Sequence, residues 1–396
     1  MDDKGLAQQL KRGQQVTLVL GAGVSRSRGL PLWSDLLREA WKIVYGKDPY
    51  ADDTRLLECC KTACRARGVP TDFIERLDIR RHPLELQLAF ERIFDKFRWS
   101  NIEELQKRLR LRPKLVRATA GLSAERRAEH LFADLLRRIL YRGQPSGRPR
   151  WNGRQTDTLS LVASAIRCDA ERPGTGRKIA QVITFNVDDL LERVVNSGTS
   201  VWKPRVFPVR WSSDTNNPPG KGAIAIYHLH GFVPLNPESY PFYSRDEGIM
   251  DVPPPFESLV FTDEQYWRAV GNPGDFASRV FAHAMGGACV FIGVSMTDIN
   301  LLRWLAQHSI EVKRDLQYMT ASWKDSFEAV YAQFTELSGH YWITVGSSDP
   351  TRGATSDFGA DMLREVLSGE RGVQCINIPS LESEEFHAWW KSCFLS

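Results

Sequence analysis

The stretch Val16-Thr17-Leu18-Val19-Leu20-Gly21-Ala22-Gly23-Val24-Ser25 decides the fold class. Its first half is an unbroken apolar and β-branched run, which reads as a strand buried on both faces, because a half-exposed strand would alternate. Glycines directly behind the strand permit a tight turn whose backbone can approach a phosphate, with the following amides aimed at it from a helix N-terminus. Beyond the turn, Trp33, Leu36, Leu37, Ala40 and Trp41 recur at helical spacing, and Ser34 or Asp35 is the expected cap. Strand, glycine turn and helix form the opening of a nucleotide-binding α/β unit.

Working outward, strands are expected at 181–185, 223–230, 289–293, 341–345 and 373–378, and helices at 189–195, 298–310, 362–367 and 385–394. Asp189 and Glu192 have the spacing of an N-terminal capping pair for the helix at 189–195. This alternation predicts an α/β fold, a Rossmann-like doubly wound parallel sheet. Between residues 52 and 166 the strand signal fades. Leu84, Leu88, Glu91 and Phe94, then Leu131, Leu135, Leu136 and Ile139, follow helical spacing, while Pro113, Pro145 and Pro149 interrupt it. A helical insertion after the first βα unit is therefore expected, with residues 1–50 and 155–396 forming the α/β domain and 51–154 the insertion.

Composition narrows the function classes. With 42% hydrophobic and 25% charged residues, the 396-residue chain is an ordinary globular one. Its longest apolar stretch, Ala288 to Val294, is far below the roughly 18 residues of a membrane helix, so no membrane partner is expected. The start Met1-Asp2-Asp3-Lys4-Gly5 lacks the pattern of a signal peptide. Seven scattered cysteines suit a reducing cytoplasm better than a disulfide framework. The net charge of +4 hides an asymmetry: residues 106–150 hold thirteen Lys and Arg against three Asp and Glu, so +10 lies there and −6 on the remainder. Such a segment could contact nucleic-acid phosphates, an acidic partner or another copy of the chain, or pair with the protein's own carboxylates. Sparse aromatics, Phe132 and Tyr141, argue against a single-strand stacking platform, and an oligomer interface is the preferred role.

In open parallel sheets, ligands bind beyond the carboxyl ends of the strands. Four segments fall there: Gly21 to Ser25 with Gly29-Leu30-Pro31, then Thr184-Phe185-Asn186-Val187-Asp188, then His228-Leu229-His230-Gly231, then Gly293-Val294-Ser295 with Asp298. Asn186 suits an Asx turn or a ligand contact equally. His228 and His230, two apart, would share one face of a strand. No Asp, Glu or Cys nearby in sequence completes a metal set, so no metal is expected.

Taken in order, these segments resemble the Sir2 family, whose pattern is Gly-Ala-Gly-x-Ser with Gly-Ile-Pro, Thr-x-Asn-x-Asp, His-Gly and Gly-x-Ser. The resemblance implies NAD+ as substrate, bound by Gly21, Ala22, Gly23, Ser25, Thr184, Gly293 and Ser295, with Asn186, Asp188 and His230 as catalytic residues. It departs from the deacylases of that family, which carry two Cys-x-x-Cys pairs for zinc after His-Gly. Residues 231–288 contain no cysteine, and Cys60 and Cys64 lack a second pair, so no zinc is expected. Trp33-Ser34 also replaces the deacylases' Phe-Arg.

With Phe291 to Leu301, these departures resemble the Sir2-like NADase effectors of bacterial anti-phage systems. That likeness implies NAD+ hydrolysis that depletes the cell, low basal activity, a homo-oligomer and in some cases a HerA-like ATPase partner. Cleavage would pass through an oxocarbenium-like state; Asn186 would hold ribose or water, Asp188 would orient it, and His230 would act as general base. The alternatives are a deacylase or ADP-ribosyltransferase using the same pocket, and a nucleotide-binding assembly subunit that recruits an ATPase or nucleic acid.

Overall fold

The structure is a computed structural model that describes residues 4–46, 83–109, 121–142, 157–200, 203–210, 222–236, 259–262, 275–296, 298–320, 339–345, 363–368 and 372–395, with short pieces at 61–62, 65, 115–116, 119, 239–240, 265, 326–327 and 329–331. Among the described residues, seven strands form one all-parallel sheet. They are β1 (Val16–Leu20), β2 (Ile179–Thr184), β3 (Val206–Val209), β4 (Ile224–His228), β5 (Ala288–Ile292), β6 (His340–Val345) and β7 (Val373–Ile378), in the order β3-β4-β2-β1-β5-β6-β7. The fold is α/β and Rossmann-like, with a helical region near the N-terminus.

Every residue of β1 and β5 is buried, as expected for central strands covered on both faces. Val16, Leu18 and Leu20 point to one face, under α1 (Lys4–Lys11), α7 (Thr158–Glu171) and α11 (Glu384–Phe394); Trp390 and Phe394 fill that layer. Val19, with Cys289 and Phe291, points to the other, under α9 (Phe276–Met285) and α10 (Ile299–Thr320). Burying each such aliphatic or aromatic side chain contributes about 1.5–3 kcal/mol. A third cluster joins α3 (Trp33–Tyr45) to the helical region: α4 (Pro83–Trp99), α5 (Ile102–Leu109) and α6 (Ala124–Leu140), through Trp41, Phe90, Phe94 and Phe132.

The helical spacings of the 52–166 stretch are realised in α4 and α6, whereas Pro113, Pro145 and Pro149 lie outside the described residues. β3 had no counterpart in the sequence reading. Its four residues include Pro208, which cannot donate to a ladder, and it accordingly occupies a sheet edge. The helices α1, α7 and α9 were also not anticipated.

Three local expectations are corrected. The helix after the glycine turn is capped by neither Ser34 nor Asp35: α3 starts at Trp33, its N-cap is Leu32, and Leu36 N donates to Leu32 O at 2.8 Å. Between β1 and α3 runs a short helix, α2 (Ala22–Arg26), so the chain turns helical inside the glycine segment itself. The capping pair Asp189/Glu192 does not form. Asp189 is the N-cap of α8 (Leu190–Val195), but its carboxylate accepts from Tyr141 and Tyr240 hydroxyls, and Glu192 is taken by His228.

Candidate functional site

The chain leaves β1 toward β2 on one side and returns to β5 on the other, so the ends of β1 and β5 flank a topological switch point, the usual ligand position in such sheets. Here the two backbones touch. Gly21 N donates to Ile292 O at 2.9 Å and Gly23 N to Gly293 O at 3.1 Å. A Cβ on Gly23 would stand 2.8 Å from Gly293 Cα, and one on Gly293, whose φ is +65°, would stand 2.7 Å from Val24 N. The sequence predicts glycines that make room for a phosphate; at Gly21 and Gly23 the room is taken by the backbone of the neighbouring strand end.

One edge of this junction opens into a cavity of about 970 Å³, at the upper end of the roughly 300–1,000 Å³ typical of small-molecule sites. Gly21, Ala22, Gly23, Arg26 and Ser27 wall it beside β1; Gly293, Val294, Ser295 and Asp298 do so beside β5. Residues Trp342 to Val345 and Ser380 to Glu382 extend it across β6 and β7. The opposite end is aromatic: Trp33, Phe90, Phe185 and Phe261, with Gln87 and His230.

Of the residues expected to form the site, Gly21, Ala22, Gly23, His230, Gly293 and Ser295 therefore share one cavity. Ser25, Thr184, Asn186 and Asp188 do not. They line two small spaces of about 10 and 20 Å³ on the other side of the glycine segment, the larger of which shares Ala22 and Trp33 with the cavity. Asn186 is committed there: its Nδ2 donates to Gly21 O and to Ser25 Oγ, both at 3.2 Å, and its backbone N donates to Thr184 Oγ1 at 3.0 Å. It clamps the end of β2 to the glycine turn. Asp188 accepts from Leu190 N at 3.0 Å, and burial, helped by the nearby carboxylates Glu192 and Asp189, pushes its carboxyl up to about 7.

His228 and His230 have different fates, because β4 ends at His228 and the chain then turns, Gly231 taking φ +93°. The shared strand face expected of them is absent. Buried His228 bridges Asn186 O at 2.9 Å through Nδ1 and Glu192 Oε1 at 2.6 Å through Nε2. His230 faces the cavity with its ring against Trp33 and Phe185, centroids 5.4 and 5.1 Å away. Its Nε2 lies 3.7 Å from Asp298 Oδ2. Burial lowers the pKa of His230 below the usual 6.5, while Asp298 pulls it back up. A neutral imidazole beside a carboxylate can accept a proton and have the resulting charge stabilised.

Both histidines thus have carboxylate partners, Glu192 and Asp298, that their sequence surroundings did not supply. Asp298 stands in the fourth strand-end segment of the sequence without a partner assigned to it, and it also caps α10, accepting from Leu301 N at 3.2 Å. Gln87 and Phe90 carried no signal beyond helical spacing, since a cavity wall and a core face use the same residues. Among the described residues no group of three or more His, Cys, Asp or Glu side chains is arranged to hold a metal, and Cys60 and Cys64 lie outside them.

Residues 180–345 match the family model of a SIR2-like domain. No curated protein matches the chain. The SIR2-like match runs from β2 to the last residue of β6, carrying Asn186, Asp188, His230, Gly293 and Asp298. The glycine segment after β1 and helices α4 to α6 lie outside it. A SIR2-like domain implies NAD-related activity, and NAD+ is accordingly the ligand class suggested for the cavity. Size and lining fit a dinucleotide: an elongated molecule needs a cavity spanning several strand ends, and the Arg26 cation on its wall suits a pyrophosphate.

Proposed function

We propose that this protein is an NAD+ glycohydrolase that releases nicotinamide and ADP-ribose and serves bacterial anti-phage defence by depleting NAD+. The observation that carries the hydrolytic reading is His230, a buried imidazole held neutral at the cavity wall with Asp298 behind it. The bond to a pyridinium breaks with nicotinamide leaving as a neutral molecule, so the substrate brings its own leaving group and the protein supplies positioning and charge stabilisation. With the Gly21 and Gly23 amides engaged by the end of β5, the Ala22 backbone and Arg26 hold the phosphates beside that junction, and Ser295 contacts the adenosine half. His230 accepts a proton from the attacking water, and Asp298 stabilises the imidazolium that results. Asn186 and Asp188 act from behind the wall: Asn186 keeps the glycine turn in place, and Asp188 holds the start of α8 and thereby the Asn186 loop.

In this reading residues 1–50 and 155–396 form one split nucleotide-binding domain, and residues 51–154 are an insertion that carries contacts between copies, or with an ATPase of the HerA-like type. The activity is low until assembly or a trigger raises it. The test is chromatography of nucleotide products after incubation with NAD+ alone, with wild type and His230→Ala. Release of nicotinamide without any acceptor protein, reduced by about 10²–10⁴ in the variant, is expected. Equal release by the two proteins would remove His230 from the mechanism, and release only with an acylated or acceptor protein would favour group transfer.

A further inference from the structure

Gln87 belongs to α4, outside the SIR2-like match, yet it lines the aromatic end of the cavity. It is 9% exposed, and among the described residues no hydrogen-bond partner meets its amide. Its amide atoms are not sealed off from the cavity, so the one polar group on this stretch of α4 that meets the cavity is free to bond a ligand there. Its location follows from the helix. Phe90, three residues on, lies on the same face of α4, and its ring contacts Trp33 and Phe261 at centroid distances of 6.4 and 5.1 Å. Trp33 in turn abuts His230, so Gln87 stands at the end of the cavity where the proton acceptor is.

That end offers aromatic faces and edges around one neutral amide. Aromatic walls attract a planar cationic ring, and an amide forms a complementary pair of hydrogen bonds with another carboxamide, donating through N–H and accepting through C=O. We propose that Gln87 reads the carboxamide of the pyridine ring, making the helical region a part of the substrate site and the selector of nicotinamide over its carboxylate analogue. A ring carrying a carboxylate can use only the donor half of Gln87 and would bring a charge into an apolar wall. The proposal rests on the NAD+ reading above.

The test is titration calorimetry on the full chain with ADP-ribose, NAD+ and nicotinic acid adenine dinucleotide, for wild type, Gln87→Leu and Gln87→Glu. Wild type is expected to bind NAD+ at least about tenfold more tightly than the nicotinic acid form. Gln87→Leu should erase that ratio while leaving ADP-ribose affinity unchanged. Gln87→Glu, which still accepts from the carboxamide N–H but repels a carboxylate, should widen it; this variant decides the matter if the leucine protein does not fold. An unchanged ratio in a folded variant, with ADP-ribose still bound, overturns the role of Gln87 alone. Failure of wild type to bind either ADP-ribose or NAD+ overturns the NAD+ reading and this proposal with it.

Discussion

At the scale of single residues, His230 and Gly293 make the sharpest predictions. Because burial lowers the pKa of His230, its proton-accepting form dominates at neutral pH, so kcat/KM should rise as pH climbs through that lowered value and level off above it. Asp298 is the group that opposes the shift. Asp298→Asn should therefore move the acidic limb of the profile to lower pH and reduce the plateau, and an unmoved limb would separate Asp298 from the proton transfer. Gly293→Ala has to place a Cβ 2.7 Å from Val24 N at a φ of +65°. A loss of at least about 2 kcal/mol is expected, read as a lower Tm, since left-handed backbone costs about 1–2 kcal/mol before the clash is counted. The glycines were legible in the sequence as necessary, but the reason for them was not, because the partner of Gly21 and Gly23 comes from a strand more than 250 positions away.

At the scale of elements, the loop from β2 into α8 concentrates buried charge. Burial raises Asp188 to about 7 and Asp189 to about 6, both above the ordinary 3.8. Each carboxyl whose pKa is raised on folding contributes stability that is complete below the unfolded value and is lost as pH climbs through the folded one. This loop should accordingly weaken the fold as pH rises from about 4 toward 7, by at most about 1.4 kcal/mol per pH unit for each proton released. Asp188→Asn should flatten that part of a Tm-against-pH curve, and a curve as steep as wild type would mean that Asp188 does not titrate there. From sequence, Asp189 and Glu192 looked like a cap and its reciprocal partner. The spacing was right, but tertiary partners outcompeted the local bonds: Tyr141, which caps the end of α6, and Tyr240 hold Asp189, and His228 holds Glu192. Helix periodicity, by contrast, survived in α4 and α6, because an apolar face at that spacing has to be buried somewhere.

At the scale of the molecule, the basic segment is partly spent on holding the protein together. Arg137 Nε donates to Pro234 O at 2.8 Å, Arg138 pairs with Asp134 at 3.2 Å and reaches Leu109 O, and Arg142 pairs with Glu39 at 3.3 Å. Lys114, Arg117, Arg148 and Arg150 lie outside the described residues. No helix among the described residues is long and apolar enough to cross a membrane. Light scattering across concentration is expected to show a defined assembly larger than one chain, since contacts between copies are the role proposed for the basic insertion. A monodisperse monomer with full turnover would contradict it.

The order of glycine turn, Thr-x-Asn-x-Asp, His-Gly and Gly-x-Ser is a one-dimensional pattern, and together with the apolar strand runs it was enough to specify a parallel α/β sheet and to bring the NAD+ class into view. Periodicity and strand-end motifs survive translation into structure because each follows from a local constraint on a few neighbouring residues. The pairing of His230 with Asp298, the retreat of Asn186 and Asp188 behind the cavity wall, and the entry of Gln87 into it emerged on folding. Those are distances between side chains remote in sequence, set by sheet order and helix packing, and no local pattern encodes them.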